Sequence, residues 1–312
     1  MKKRLLMALF VILFISQLIS AANETQNQSQ TTQQNIIGMK SSYAKSETML
    51  IKLSGLQNTI SLNNIYFYRG HTIIPILYDL TKINNDFYIY AIAPEAEGDY
   101  ILKITNVEYK SGKNVVKLNI EKNFSISSAL VSFNVYPGAI ITNADFSLKV
   151  ESFQYSLMNV NIKSVFNSSS SVQLDSGESK IINLKIPSDL NASLYLIDLS
   201  SDYIKYSIPV LLTKSTIPLQ SQKEIKFSPS SLNISLAIGQ NKTIIVYLSN
   251  IGEVNISSLN LSISSGISQI VSFSEINISQ MGIGDFSKLR IFIVPKQEGT
   301  FNGNIKAVSG DI

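Results

Sequence analysis

Along most of the chain after residue 44, apolar side chains alternate with polar ones, and a period of two places the apolar set of each run on one face of a strand. Tyr100, Leu102 and Ile104 alternate with Ile101, Lys103 and Thr105; Val116, Leu118 and Ile120 alternate with Lys117, Asn119 and Glu121. The same rhythm recurs at Phe146, Leu148 and Val150, at Ile182, Leu184 and Ile186, and at Leu259, Leu261 and Ile263. It is longest at Leu232, Ile234, Leu236 and Ile238, interleaved with Asn233, Ser235 and Ala237. After residue 22 no stretch keeps the i, i+3, i+4, i+7 spacing of an amphipathic helix over three turns. Turn residues separate the runs, as in Ser111-Gly112-Lys113-Asn114. The pattern predicts an all-β chain of short antiparallel strands.

A longer period sits on top of this one. Three segments share a strand, a proline, a short turn and a strand opened by an aromatic residue: Ala91-Ile92-Ala93-Pro94 to Tyr100, Leu184-Lys185-Ile186-Pro187 to Tyr195, and Phe292-Ile293-Val294-Pro295 to Phe301. A Ser-Lys pair stands eight residues before the second and third prolines, at Ser179-Lys180 and Ser287-Lys288. The prolines are 93 and 108 residues apart, which matches the roughly 100 residues of an immunoglobulin-like sandwich. Three tandem immunoglobulin-like β-sandwiches are expected, at residues 44–126, 127–216 and 223–312, with boundaries at 123–128 and 214–222. The aromatic at each corner matches the tyrosine that many such sandwiches place there.

Residues 129–213 and 226–312 resemble the CARDB-type and related immunoglobulin-like domains of archaeal and bacterial cell-surface proteins. The resemblance is carried by an N-terminal proline (Pro137, Pro229) and a Leu-x-Asn-hydrophobic stretch (Leu157-Met158-Asn159-Val160, and more weakly Ser258-Leu259-Asn260-Leu261). It continues with a glycine before a strand ending in proline (Gly177 with Pro187, Gly284 with Pro295) and the aromatic strand after it. Residues 44–122 resemble the same class more faintly. The resemblance implies spacers, adhesion modules or surface-layer components, and it carries no catalytic residues to transfer.

The N-terminus reads as an export signal. Lys2-Lys3-Arg4 precedes an apolar run over residues 5–19, followed by Ser20-Ala21-Ala22, small residues suited to cleavage after Ala22. The same features serve an uncleaved N-terminal anchor, and both place the remainder outside the membrane. Residues 23–43 are expected to form a disordered polar tether, since residues 23–35 contain no apolar side chain.

Composition narrows the chemistry. The chain of 312 residues has no Cys, no Trp and one His, so disulfides, cysteine-ligated metals and a cysteine nucleophile are excluded. Charged residues are 15% of the chain, against about 25% in ordinary soluble proteins. Polarity comes instead from 46 Ser, 27 Asn and 13 Thr, a composition suited to an extracellular surface. Removing residues 1–22 leaves 23 basic against 22 acidic groups, with no cationic stripe of the kind that displaces counterions from nucleic acid. His71 lies in a turn with no acid and hydroxyl converging on it by spacing, and reads as a loop histidine. Glu95, Glu97 and Asp99 alternate before Tyr100; without the EF-hand order of acids and glycine they read as a solvated acidic turn. No catalytic residue, cofactor or metal ligand is assigned.

Asn-x-Ser/Thr occurs at Asn23, Asn27, Asn123, Asn167, Asn191, Asn233, Asn241, Asn255, Asn260 and Asn277. Chance alone would give roughly half as many. Alternating strands in an Asn- and Ser-rich chain also generate such triplets, so the ten are candidate glycan acceptors in a host with the transferase. Those at Asn233, Asn255, Asn260 and Asn277 are expected to face outward.

After the corner aromatic, the first two repeats have room for two strands, whereas Phe301 is followed by 11 residues, enough for one. The third sandwich is therefore expected to lack its last strand. Either the sequence is a piece of a longer protein whose next residues supply the strand, followed by further domains or an anchor, or a partner chain donates the strand. The functional expectation is a non-enzymatic secreted or cell-surface modular protein with an envelope, spacer or adhesion role. Its partner would be a cell-envelope protein or a glycan, and it would meet the membrane only through its N-terminal segment or a missing C-terminal anchor. The alternative is an accessory binding region of a larger secreted enzyme. For export, N-terminal sequencing of the expressed protein should begin at Asn23; Met1 retained in the membrane fraction would show the anchor instead.

Overall fold

A computed structural model describes residues 37–111, 114–166, 169–202, 204–214, 224–252, 254–274 and 277–309. The signal segment, residues 23–36 of the tether, and Asn23, Asn27 and Asn167 lie outside them. Apart from one 3-10 turn at Leu62–Asn64, all regular structure among the described residues is strand. The strands form six sheets in three facing pairs.

In the first pair, one sheet runs Ile37–Gly38, Thr48–Leu53, Asp86–Ile92, Tyr78–Ile83. Its facing sheet runs Ser42–Lys45, Asn114–Leu130, Gly98–Ser111, Ile65–Arg69, Thr72–Ile73. The second pair repeats this with Phe133–Tyr136, Phe146–Ser152, Ser179–Leu184 against Ile140–Thr142, Lys205–Leu212, Leu194–Ser200, Met158–Lys163, Ser171–Leu174. In both, a short early strand pairs parallel with the last one, and every other ladder is antiparallel. These are immunoglobulin-like β-sandwiches. The third pair sets Ile225–Ser228, Lys242–Asn250, Phe286–Ile293, Val271–Phe273 against Asn277–Met281, Ile256–Ile263, Ile305–Ser309.

The period of two explains the cores. Leu102 and Ile104 point inward against Ile51 and Ile89 of the opposite sheet, and Tyr100 stacks on Phe124 at 5.6 Å between ring centroids. In the second sandwich Leu148 and Val150 meet Ile197, Leu199, Ile208 and Val210. Each such side chain contributes about 1.5–3 kcal/mol by leaving water. The corner aromatics do what their position suggested: the Tyr100 hydroxyl donates to the Ala96 carbonyl at 2.6 Å, and that of Tyr195 to the Asn191 carbonyl at 2.9 Å. Phe301, at the third corner, has no hydroxyl to do the same.

Three sequence expectations need correction. Residues 37–43 are not tether: Ile37 pairs opposite Leu53, and buried Tyr43 meets Phe124 edge-on, so two apolar side chains anchor this stretch. Residues 123–128 are not a boundary, because the strand Asn114–Leu130 runs through them and stays paired with Gly98–Ser111 as far as Ile126. The chain leaves the first sandwich at Val131 and Ser132. Residues 232–238 form no strand despite the longest alternation in the sequence. Ile234 and Leu236 do turn inward, but no neighbouring strand supplies a ladder. The other expected boundary, 214–222, falls almost wholly outside the described residues.

A side chain closes the third sandwich where backbone pairing runs out. Asn250, 0% exposed, donates its amide to the carbonyls of Val254, Met281 and Gly282 at 2.8–3.1 Å and accepts from the Gly252 N–H at 3.0 Å. Asn250→Ala should lower stability by about 3 kcal/mol, since buried carbonyls and an N–H lose their partner. Asn250→Asp should cost at least as much, because a carboxylate would face three carbonyls. Denaturant midpoints of the two variants check this.

Candidate functional site at the junction of three sandwiches

The three sandwiches touch pairwise, and the contacts converge. Thr48 opens a strand of the first sandwich and is 2% exposed. Its hydroxyl donates to the Val135 carbonyl at 3.2 Å and accepts from the Val135 N–H at 3.1 Å, so one side chain satisfies both backbone groups of a residue in the second sandwich. The Thr48 N–H donates to the Tyr206 hydroxyl at 3.3 Å, which donates onward to the Phe133 carbonyl at 3.0 Å. Burial, reinforced by the Glu47 carboxylate, pushes the Tyr206 phenol well above its ordinary pKa.

Beside this network the backbones approach closely. A Cβ on Gly138 would lie 2.7 Å from Leu50 Cδ2 and 2.8 Å from Tyr90 Cβ, both in the first sandwich. Tyr136 lies between all three bodies. Its ring meets Tyr90 edge-on at 5.4 Å, while a Cβ on Gly284 of the third sandwich would fall 2.4 Å from its Cδ1. Gly284 also has φ +71°, so glycine is required there for space and for backbone conformation. Desolvation raises the pKa values of Tyr90 and Tyr136; neighbouring phenols and carboxylates add to the effect.

Lys226 joins the third sandwich to the first. Its side chain is 10% exposed and donates to Asp79 Oδ1 at 2.8 Å and to the Tyr78 carbonyl at 2.7 Å. Burial lowers its pKa, and the Asp79 carboxylate opposes that. Ser228 donates to the Ile76 carbonyl at 3.2 Å, and Lys149 pairs with Asp285 across the second and third sandwiches. Between them opens a cleft of about 410 Å³ lined by Tyr90, Tyr136, Lys149, Glu151, Gln280 and Asp285. Its polar lining suits hydrogen bonding, and the charge of Lys149 is matched by Asp285.

The residues weighed in the sequence for catalysis, metal binding or glycan attachment do not line the cleft. His71 is exposed in the two-residue turn between Ile65–Arg69 and Thr72–Ile73. Glu95 and Glu97 reach separate lysines, Lys288 at 3.5 Å and Lys45 at 2.8 Å, and Asp99 is exposed. Among the described residues no three His, Asp or Glu side chains gather closely enough to hold a metal ion. Asn123, Asn191, Asn233, Asn241, Asn255, Asn260 and Asn277 are all exposed, and Asn260 and Asn277 sit directly opposite each other on paired strands. Of the junction residues, Gly284 belonged to a sequence pattern, as the glycine before the strand that ends at Pro295, but that pattern did not mark a contact. Lys226 occupies an outward position in an alternating run, and Tyr206 reads as an ordinary core aromatic.

No protein-family model and no curated protein matches the chain. Among solved structures, the surface-layer protein SbsC is similar at 11% identity over 91% of this chain and 55% of that one, with a TM-score of 0.23. This chain thus spans about half the length of that structure. A chain of the chaperone–tip adhesin complex of CFA/I fimbriae is similar at 14% identity over 51% and 88%, TM-score 0.23. The Yersinia pseudotuberculosis adhesin InvE is similar at 10% identity over 57% and 59%, TM-score 0.22. Scores this low do not extend to a shared function.

Two measurements probe the junction. Thr48→Val keeps the shape but strips both Val135 backbone groups of their partner, and should cost about 2 kcal/mol in a denaturant titration. Tyr90, Tyr136 and Tyr206 have folded pKa values above the ordinary value of 10.0. Their stabilising contribution is complete below about pH 10 and is lost as pH rises through the folded values. Phenolate absorbance should show some tyrosines titrating late, in one cooperative step, and Tyr136→Phe should move that step to higher pH.

Proposed function

We propose that the protein is an exported, non-enzymatic module of the cell surface whose three sandwiches act as one rigid block, in a spacer, envelope or adhesion role. The observation that carries this reading is the junction itself. Buried hydrogen bonds such as those of Thr48, Tyr206 and Lys226 are worth keeping only when their geometry is held. Sandwiches joined by flexible linkers could leave these groups to water. The N-terminal export pattern and the hydroxyl- and amide-rich, sparsely charged composition support a location outside the cell. Pro137 and Pro229, each just after the first strand of its sandwich, support membership of the CARDB-type group for the second and third units. Exposure of seven acceptor asparagines supports glycan attachment there in a host with the transferase.

Small-angle scattering tests the rigid block. A compact body of about 270 residues has a radius of gyration near 19 Å, by the roughly N^0.38 scaling of folded chains. The protein, allowing for its N-terminal tether, should approach that value and keep it when salt is raised. A profile of three bodies strung out in a row would overturn the reading.

A further inference from the structure

The cleft at the junction holds more polar groups than the contacts around it use. In the second sandwich, strands Phe133–Tyr136 and Phe146–Ser152 pair so that Asn134 stands directly opposite Glu151, and Tyr136 opposite Lys149. These four alternate with the core residues Phe133, Val135 and Val150, so they occupy the outer face of the sheet. Side chains directly opposite each other have Cβ atoms about 5 Å apart. Tyr90 and Ile92 close the cleft from the first sandwich, and Gln280 with residues 284–287 does so from the third.

Of these groups, only Lys149 and Asp285 are paired, with each other. The side chains of Asn134, Glu151 and Gln280 and the hydroxyls of Tyr90 and Tyr136 make no hydrogen bond or ion pair among the described residues. Tyr90 is 7% exposed, yet its hydroxyl is not one of the side-chain oxygens sealed from solvent without a partner, so the surface it keeps opens on the cleft. Buried polar groups are normally paired within the protein. Five that share one cleft and lack protein partners are donors and acceptors left for a molecule from outside.

Their chemistry selects the molecule. Burial holds both phenols protonated, so each donates and accepts. The two carboxamides also do both, and the carboxylate only accepts. An anionic ligand meets Glu151 and finds the Lys149 charge already matched. A polyamine needs several free carboxylates and meets one. Ile92, Ile278, Met281 and Phe286 add an apolar side to the lining, and Phe286 is 44% exposed. A ring with hydroxyls on its edge and C–H bonds on its face fits both sides. The volume of about 410 Å³ lies at the lower end of the roughly 300–1,000 Å³ of ligand pockets, which suits a small ligand or the end of a longer one.

We propose that the cleft binds a neutral saccharide, the terminal sugar of an envelope or cell-surface glycan. The inference deepens the adhesion reading above and rests on it, because only a rigid block keeps side chains of three sandwiches on one ligand. Glu151 accepts from two neighbouring sugar hydroxyls, Asn134 and Gln280 each donate and accept beside it, and the C–H face of the ring lies against Phe286.

Saturation-transfer NMR on the whole mature protein tests this with the methyl glycosides of glucose, galactose, mannose and N-acetylglucosamine, and with glucuronate and spermine as charged comparisons. At least one neutral glycoside should bind, and neither charged compound should. Glu151→Gln, at a half-buried position outside the core, should weaken binding about tenfold, as the loss of charge-assisted hydrogen bonds does. Gln280→Ala should weaken it about threefold. Glu121→Gln, an exposed change that does not touch the cleft, should alter nothing. Two further arms offer immobilised polysaccharide from the producing cell and glycans from unrelated cells. Capture that Glu151→Gln weakens supports the site in either arm, the first assigning it to envelope attachment and the second to adhesion. The site is overturned by no binding in any arm, by binding that neither Glu151→Gln nor Gln280→Ala weakens, or by preference for glucuronate or spermine. With a compact scattering profile, any of these outcomes leaves the rigid block standing; a strung-out profile removes the block and the cleft together.

Discussion

A sheet can be covered by another body only if the backbone groups it hides keep hydrogen-bond partners, and this constraint shapes the molecule more than any single apolar contact. Where two sandwiches meet, strand ladders cannot continue, so side chains take their place. Thr48 stands in for a strand beside Val135, Ser228 for one beside Ile76, and Lys226 caps the Tyr78 carbonyl. Asn250 performs the same service inside the third sandwich. Apolar surface then fills in around these points, with Leu50 resting against the second core and Tyr90 against Tyr136.

These substitutions also determine which residues tolerate change. A hydroxyl or amide that satisfies two or three backbone groups cannot be replaced by a side chain of equal size without orphaning several of them at once. An exposed pair such as Lys288 with Glu95, at 3.5 Å, contributes little by comparison, since water screens it and fixing two long side chains costs conformational entropy. The junction thus rests on a few uncharged, buried donors, with Lys226 and Asp79 as the one strongly desolvated charge pair described in it.

The sandwich architecture was legible because burial between two facing sheets imposes a period of two, and the repeated strand–proline–turn–aromatic arrangement set the number of units. Tyr100 and Tyr195 could be read as corner residues for the same reason: their position relative to the proline is local. Residues 232–238 show the limit. Alternation records which side chains turn inward, as Ile234 and Leu236 do, but a strand also needs a neighbour, and pairing is not written in the segment itself. The boundary at 123–128 misled because the last strand of the first sandwich is unusually long, reaching Leu130. The junction was invisible. Lys226 and Thr48 carry the same outward-polar pattern as residues that face water, and only the approach of another sandwich makes them internal.

The parallel pairing of Ser42–Lys45 with Asn114–Leu130, and of Ile140–Thr142 with Lys205–Leu212, has a mechanical meaning. In each, an early strand and the last strand of one body run side by side in the same direction. Tension applied through the two ends of such a body slides the strands lengthwise past each other. All the hydrogen bonds of the pair then resist together, whereas an antiparallel hairpin pulled from its open end parts one rung at a time. The first two bodies therefore carry built-in shear clamps across their termini, suited to a chain held at one end and pulled from the other.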